Sequence, residues 1–217
     1  MENATKALEM AGSVLIGMMI IGMLVFAYTQ FSNLKQTEEN AKAIEQASDF
    51  NQPYEVYNKD GAYGSEILSL ANRVSDYNTR TQEDGYTNID LVIKFKSLPQ
   101  NMDDSKYNSS YKFSLEMTGT KLVESYEKLT SDITKKGNET LTSNINGQKV
   151  TKKIVQWEKM SKETLKSYFD SQVPSQVQEY QDLCDAQTDL TRKIFKQPKI
   201  TYDKNNGRIT KMEIEEK

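Results

Sequence analysis

Residues 10–28 of this chain, MAGSVLIGMMIIGMLVFAY, contain no charged side chain, although 27% of all residues are charged. At about 1.5 Å per residue, this apolar segment would form a helix roughly 28 Å long, close to the ~30 Å hydrocarbon core of a bilayer. A secretory signal peptide usually has a shorter apolar region of about 7–15 residues behind a basic stretch. Here Lys6 is the only cation before the segment, and no Ala-x-Ala pattern follows it. The sequence therefore predicts a retained, single membrane-spanning helix.

The helix is predicted to continue beyond the apolar segment. Residues 29–52 contain neither Gly nor Pro, and weakly apolar residues recur at helical spacing: Phe31, Leu34, Ala41, Ile44 and Ala47. A helix over residues 5–50 would be on the order of 70 Å long. Pro53 is expected to stop it, because proline lacks a backbone donor and clashes with the preceding turn. We therefore expect a transmembrane helix and stalk over residues 1–52, and a head domain over residues 53–217.

Composition excludes several kinds of chemistry. The chain has 28 basic and 31 acidic residues, a net charge of −3 and no long block of either sign, so it lacks the basic footprint of a nucleic-acid-binding protein. It has no histidine, which removes Ser–His and Cys–His catalysis and the commonest transition-metal ligand. No glycine-rich phosphate loop or spaced ligand set is present. We predict neither an enzyme nor a bound cofactor or metal, and we identify no small-molecule substrate.

The single cysteine, Cys184, lies at helical spacing with Tyr180 and Gln187 and next to Leu183. This position favours a buried, small apolar side chain, and a reactive or intermolecular thiol is the alternative.

The head is predicted to be α+β, with antiparallel strands packed against helices. In its first half, Ser65 is expected to cap a helix of about three turns, and residues 78–88 are polar and rich in turn formers. Alternation then predicts strands at residues 89–96 and 111–117, paired antiparallel and separated by a loop at residues 98–110.

The second half is predicted to contain helices and two hairpins. A helix is favoured over residues 121–134, with a strand as the alternative. Asn146-Gly147 is a type I′ turn signal that would join strands at 141–145 and 150–157. Helices follow at 160–169 and 173–195, the second with Pro174 in its first turn and predicted to be the longest soluble helix. A hairpin of residues 200–202 and 209–214 with exposed charged edges closes the chain.

Two polar stretches have functional alternatives. Tyr54, Tyr57 and Tyr63 lie among turn residues, which favours a loop whose tyrosines pack on the domain; an aromatic contact patch for a partner or a sugar is the alternative. Asp103 and Asp104 favour a solvated turn over a cation site, because no EF-hand spacing accompanies them.

The apolar segment itself carries candidate assembly residues. Ser13 and Gly17 lie four residues apart, with Gly12 and Gly22 nearby, and small residues allow helices to approach closely in lipid. Glu9 lies at the edge of the segment, where a carboxylate is a functional candidate unless it simply sits among the headgroups at a helix N-terminus.

An apolar N-terminal helix with one acid near its start, running on into an amphipathic half and an α/β head, resembles type IV pilins and pseudopilins. The stretches ENATKALEMAGSVLIGMMIIGMLVF and FNQPYEVYNKDGAYGSEILSLANRV are also similar to small uncharacterised membrane-anchored proteins of Gram-positive bacteria that look pilin-like. The resemblance implies a pilin-like fold and processing between Ala4 and Thr5. Glu9 would then be the fifth residue, the position at which such subunits pair an acid with a neighbour's terminal amine.

Two functions follow as hypotheses. The first is a structural subunit that self-associates, or associates with related pilin-like subunits, through its helix in the bilayer, and that could be part of a surface filament. The second is a single-pass, surface-anchored binding protein whose helix is only an anchor. Lys6 faces Lys35 and Lys42 across the segment, which by cation count favours an inward head. The resemblance implies an extracytoplasmic head on the cell membrane, and we adopt that orientation.

Overall fold

The computed structural model describes residues 2–84, 87–102, 105–145, 147–170 and 172–217. The elements in chain order are α1 (Glu2–Glu55), β1 (Ala62–Tyr63), α2 (Gly64–Asp84), β2 (Asp90–Lys94), α3 (Ser105–Tyr111), β3 (Glu116–Thr118), α4 (Gly119–Asn138), β4 (Thr140–Ile145), β5 (Gln148–Lys153), α5 (Ile154–Glu158), α6 (Lys162–Tyr168), α7 (Ser175–Arg192), β6 (Ile194–Phe195), β7 (Lys199–Tyr202) and β8 (Ile209–Glu215). The α+β class is confirmed. The chain divides into two compact units, Met1–Phe50 with Lys204–Arg208, and Asn51–Asp203 with Ile209–Lys217.

The long N-terminal helix is confirmed, but its predicted end is wrong. α1 runs through Pro53 and ends at Glu55, where the Tyr57 N–H donates to the Tyr54 carbonyl at 3.1 Å. Proline removes one backbone donor and crowds the carbonyl four residues before it, which disfavours the turn that precedes it but does not prevent the two residues after it from being helical. Pro53 therefore marks the final turn of the helix and does not stop it.

Within the first unit, the turn Lys204–Arg208 packs against α1. The Arg208 guanidinium lies 5.1 Å from the centroid of the Phe50 ring, a cation–π contact. Gly207 has a φ of 71°, and a Cβ built on it would lie 3.5 Å from the Cβ of Ala47, which is buried. A small residue with positive φ is therefore needed where this turn meets the helix.

The second unit contains a four-stranded sheet in the order β3-β2-β8-β7. The predicted antiparallel pairing of β2 with β3 is confirmed, as is the terminal hairpin of β7 and β8. β2 and β8, however, pair in parallel, with Ile93 opposite Ile214, so the sheet is mixed and not purely antiparallel. β8 consequently lies inside the sheet, and Met212 and Ile214 are fully buried.

Three long helices, α2, α4 and α7, pack on one another in this unit. The sequence predicted their apolar faces, but α2 extends to Asp84 through residues expected to form a turn, so α2 and α4 both exceed the 18 residues of α7. Ser65 lies inside α2 and does not cap it; the Glu66 carboxylate instead accepts the Tyr63 N–H at 2.9 Å. Pro174 is the N-cap of α7.

Two other boundaries differ from the prediction. The expected loop at residues 98–110 contains most of α3, so the strand expected from residue 111 shortens to Glu116–Thr118. β5 ends at Lys153, and α5 begins at Ile154, because the polar alternation of the strand gives way to a helical turn that buries Ile154 and Trp157.

The predicted hairpin of β4 and β5 is confirmed, with Ile145 opposite Gln148 and Gly147 at a φ of 82°. Asn146 lies outside the described residues. One face of the hairpin packs with α5, α6 and the start of α7 on a cluster around Trp157. Trp157 is fully buried, and the centroid of its ring lies 5.0 Å from that of Phe169. We call this part of the chain, residues 139–180, the Trp157 lobe.

Candidate membrane anchor and assembly face

The apolar segment of α1 is exposed along its whole length. Its large side chains are more than half exposed, for example Val14 at 57%, Ile20 at 54% and Phe26 at 65%. α1 is the one helix among the described residues that is long and apolar enough to cross a membrane. Exposure of an apolar surface of this length to water is unfavourable, and the hydrocarbon core of a bilayer would bury it.

The aliphatic hydroxyl groups of Ser13, in this segment, and Thr29, beside it, are satisfied within the helix. Ser13 Oγ donates to the Met10 carbonyl at 2.8 Å, and Thr29 Oγ1 donates to the Phe26 carbonyl at 2.8 Å. A helix also satisfies its own backbone, which is the requirement that hydrocarbon imposes. Ser13 and Thr29 therefore present no unpaired hydroxyl to lipid.

The helical geometry brings together some of the predicted assembly residues and separates others. Glu9, Ser13 and Gly17 are four residues apart and lie on one face, which we call the assembly face. Gly12 lies roughly 100° from Ser13 and Gly22 roughly 180° from it, at about 100° per residue. A Cβ at Gly12, Gly17 or Gly22 would meet nothing within 4 Å, so each is open to a neighbouring helix.

The Glu9 carboxylate has no ion pair or hydrogen bond within the described chain. The cation one turn before it, Lys6, instead donates to Glu2 at 3.3 Å. A shallow depression on the helix surface is lined by Lys6, Glu9, Met10 and Ser13. At the edge of an apolar segment that spans a bilayer, the Glu9 carboxylate would be stabilised by a cation of another molecule.

Ala4 and Thr5, the predicted processing site, both lie in the early turns of α1 and are exposed. Cleavage between them stays a prediction.

In the second unit, a buried charged cluster was missed by the sequence reasoning. The Lys193 side chain is only 5% exposed, and its Nζ donates to Ser97 Oγ at 3.0 Å and to Glu216 Oε1 at 2.9 Å. The other oxygen of Glu216 accepts the Lys96 N–H at 2.7 Å. This cluster fastens three distant chain segments together, and their separation in sequence leaves no local signal that could have revealed it.

The three tyrosines of the turn-rich stretch do not share one surface. Tyr54 is buried, edge-on to Tyr77 at 6.3 Å, and burial raises the pKa of its hydroxyl to about 12. Tyr63 is 54% exposed and lies directly across from Ile194, itself 43% exposed, in the β1–β6 pair. The packing interpretation is thus right for Tyr54, and Tyr63 with Ile194 forms a small exposed apolar pair.

Cys184 is partly buried against the Trp157 cluster. Burial raises the pKa of its thiol, which keeps the unreactive protonated form at neutral pH. Asp103 and Asp104 lie outside the described residues. Among the residues that are described, no group of three or more Cys, Asp or Glu side chains could hold a metal ion.

Compared with known proteins, the chain matches no family model, no curated protein and no solved structure. The described residues define an α+β protein with one N-terminal helix long and apolar enough to cross a membrane.

Proposed function

We propose that this protein is a single-pass, membrane-anchored structural subunit that self-associates, or associates with related pilin-like subunits, through the assembly face of α1, with its head outside the cell. The observation that carries the proposal is the uninterrupted α1, which joins a fully exposed, charge-free apolar segment to an exposed polar stalk. Repeated association of this kind would build a surface filament.

The unpartnered Glu9 supports association and not anchoring alone. A carboxylate held in a low dielectric costs several kcal/mol unless a cation pairs with it. Lys6 is engaged with Glu2, so the partner would come from a neighbouring chain, through an α-amino group or a lysine. The open surfaces at Ser13 and Gly17 on the same face would let a neighbouring helix approach closely.

The alternative function is a surface-anchored binding protein whose helix only holds it in the membrane. The exposed pair Tyr63 and Ile194 favours this alternative, since it offers a head surface on which a partner could pack. In that case the identity of residue 9 would not matter.

The first test is fractionation. The full chain should remain in the pellet after carbonate extraction, whereas a version that starts near Glu38 should be soluble, because it lacks the apolar segment. Full-length protein in the carbonate supernatant would rule out the anchor and both functions with it.

The second test separates the two functions by disulfide cross-linking in membranes, in a Cys184→Ala background. Cysteines at Ser13 or Gly17 should cross-link between chains, and a cysteine at Gly22, on the opposite face, should do so less. Glu9→Gln should abolish the cross-links and leave insertion intact, whereas the control Glu124→Gln, at an exposed carboxylate of the head, should leave them unchanged. Cross-links that persist in Glu9→Gln, or that never form, would favour the anchored binding protein.

A further inference from the structure

Residues 148–166, which we call the basic segment, concentrate positive charge in a chain whose net charge is negative. They contain six lysines and two glutamates, a net charge of +4. Since the whole chain carries −3, the remaining residues carry −7. The lysines are Lys149, Lys152, Lys153, Lys159, Lys162 and Lys166.

None of these six ammonium groups has a carboxylate oxygen within 4.0 Å in the described chain. Lys152 lies over the Trp157 ring at 5.4 Å, and Lys153 donates to the neutral amide oxygen of Asn138 at 2.9 Å. Lysines just outside the segment are paired, for example Lys136 with Glu179 at 2.6 Å. The fold therefore gives none of these lysines a close ion pair, and Lys166 and Lys162 act electrostatically only on Glu163 within the segment.

The Trp157 lobe holds these charges on ordered elements. Lys149 and Lys153 alternate with Thr151 on the outer face of β5, and Thr151 shares a 2.7 Å hydroxyl hydrogen bond with Thr142 of β4. Lys162 and Lys166 lie one turn apart on α6. Ordered charges lose less freedom on binding than those on a disordered tail would.

A complementary surface exists on the stalk part of α1. Residues 38–49, the acidic segment, contain four carboxylates and one lysine, a net charge of −3. Lys42 is engaged with Glu38 at 2.7 Å, which leaves Glu39, Glu45 and Asp49 without a cation in the described chain. Glu38, Glu45 and Asp49 lie at i, i+7 and i+11, along one exposed stripe of the helix that also carries Lys42 at i+4, so the stripe has a net charge of −2.

We infer that the basic segment of one copy binds the acidic segment of a neighbouring copy. This inference rests on the self-association proposed above, and it names the contact that would act outside the bilayer. The two surfaces differ, so the contact is heterologous and can repeat from chain to chain. Each exposed ion pair is weak alone, but chains already held side by side by their helices would make several pairs at high effective concentration.

The test uses the full chain reconstituted in vesicles of neutral phosphatidylcholine, with half of the protein labelled with ¹⁵N. A carbodiimide reagent forms amide cross-links, which we call joins, between lysines and carboxylates in contact. Mass spectrometry identifies joins between copies, because these contain one labelled and one unlabelled peptide. We expect such joins between the basic and acidic segments, and fewer at high salt because the charges are exposed.

Charge reversal makes the test specific. Lys162→Glu with Lys166→Glu should lower the joins between copies at Lys149 and Lys159 by about tenfold, since like charges would then meet. Adding Glu45→Lys and Asp49→Lys should restore them. The control Lys96→Glu with Lys121→Glu, an equal change elsewhere on the head, should have no effect.

The outcomes separate this inference from the proposed function. Cysteine cross-links at Gly17 that persist in the absence of joins between the two segments would overturn the inference and leave the helix assembly standing. Failure of the Gly17 cross-links would instead remove the proposed function. If the lysines of the basic segment become less reactive in the coupling only when anionic lipid is added to the vesicles, the basic segment binds a lipid surface and the inference is overturned.

Discussion

The Lys193 ammonium lies 2.9 Å from the Glu216 carboxylate, and both side chains are largely buried, at 5% and 13% exposure. The two residues are 23 positions apart, and Glu216 also accepts the backbone N–H of Lys96, from the end of β2. The pair thus ties the chain after β8 to the end of α7 and to the central sheet.

Removing one partner of this pair should destabilise the head strongly. Lys193→Met should lower the free energy of unfolding by about 3–5 kcal/mol, because the buried Glu216 carboxylate is left without a cation. Glu216→Gln should cost less, because the Lys193 ammonium keeps the Asp189 carboxylate at 3.8 Å. The double variant should cost less than the sum of the two. Unfolding can be followed by the fluorescence of Trp157, the one tryptophan. Lys196→Met, which breaks the exposed pair with Glu215, is the control and should cost about 0–1 kcal/mol; equal losses in both would contradict the buried-pair account.

Gly64 should not tolerate a side chain. A Cβ at this position would lie 1.9 Å from the Leu190 carbonyl oxygen, which belongs to the backbone of α7 and cannot rotate away. Gly64→Ala should therefore cost about 1–3 kcal/mol or more, by forcing α2 and α7 apart. The neighbouring exposed change Ser65→Ala should stay within about 0.5 kcal/mol. A thermal melt of Gly64→Ala that matches the parent protein would refute this close approach.

Alkaline pH should destabilise the head through Tyr54. Burial raises the pKa of this hydroxyl from 10.0 to about 12, so between these values the unfolded chain loses the proton while the folded chain keeps it. The contribution is complete below pH 10.0 and is lost as the pH rises toward 12. Urea unfolding at increasing pH should show this decline, and Tyr54→Phe should make it shallower. An equal decline in the variant would show that Tyr54 contributes nothing to it.

Cys184 should behave as a packing residue. Cys184→Ala should cost about 1 kcal/mol through lost volume beside the Trp157 cluster. Because its thiol is partly buried and its pKa is raised, iodoacetamide should label it slowly in the folded protein and fast in urea. Equal labelling rates in the two states would support the alternative of a reactive or intermolecular thiol.

The sequence alone determined the parts of this protein whose physics is local. The charge-free run at residues 10–28 and the absence of Gly and Pro after it define α1, because helix formation depends on neighbouring residues. Alternation identified β2, β7 and β8, and Asn146-Gly147 placed the β4–β5 hairpin, because turn geometry fixes register over a few residues. Glu9, Ser13 and Gly17 are spaced four residues apart in the sequence, and helix geometry places them on one face.

Only the tertiary structure decided the relations between distant segments. The parallel pairing of β2 with β8 joins strands more than a hundred residues apart, and each strand would look the same in an antiparallel sheet. The Lys193–Glu216 pair and the approach of Gly64 to Leu190 likewise depend on how the chain returns to itself. The lack of close ion pairs in the basic segment also emerged only here, because whether a lysine has a carboxylate beside it is a property of packing and not of composition.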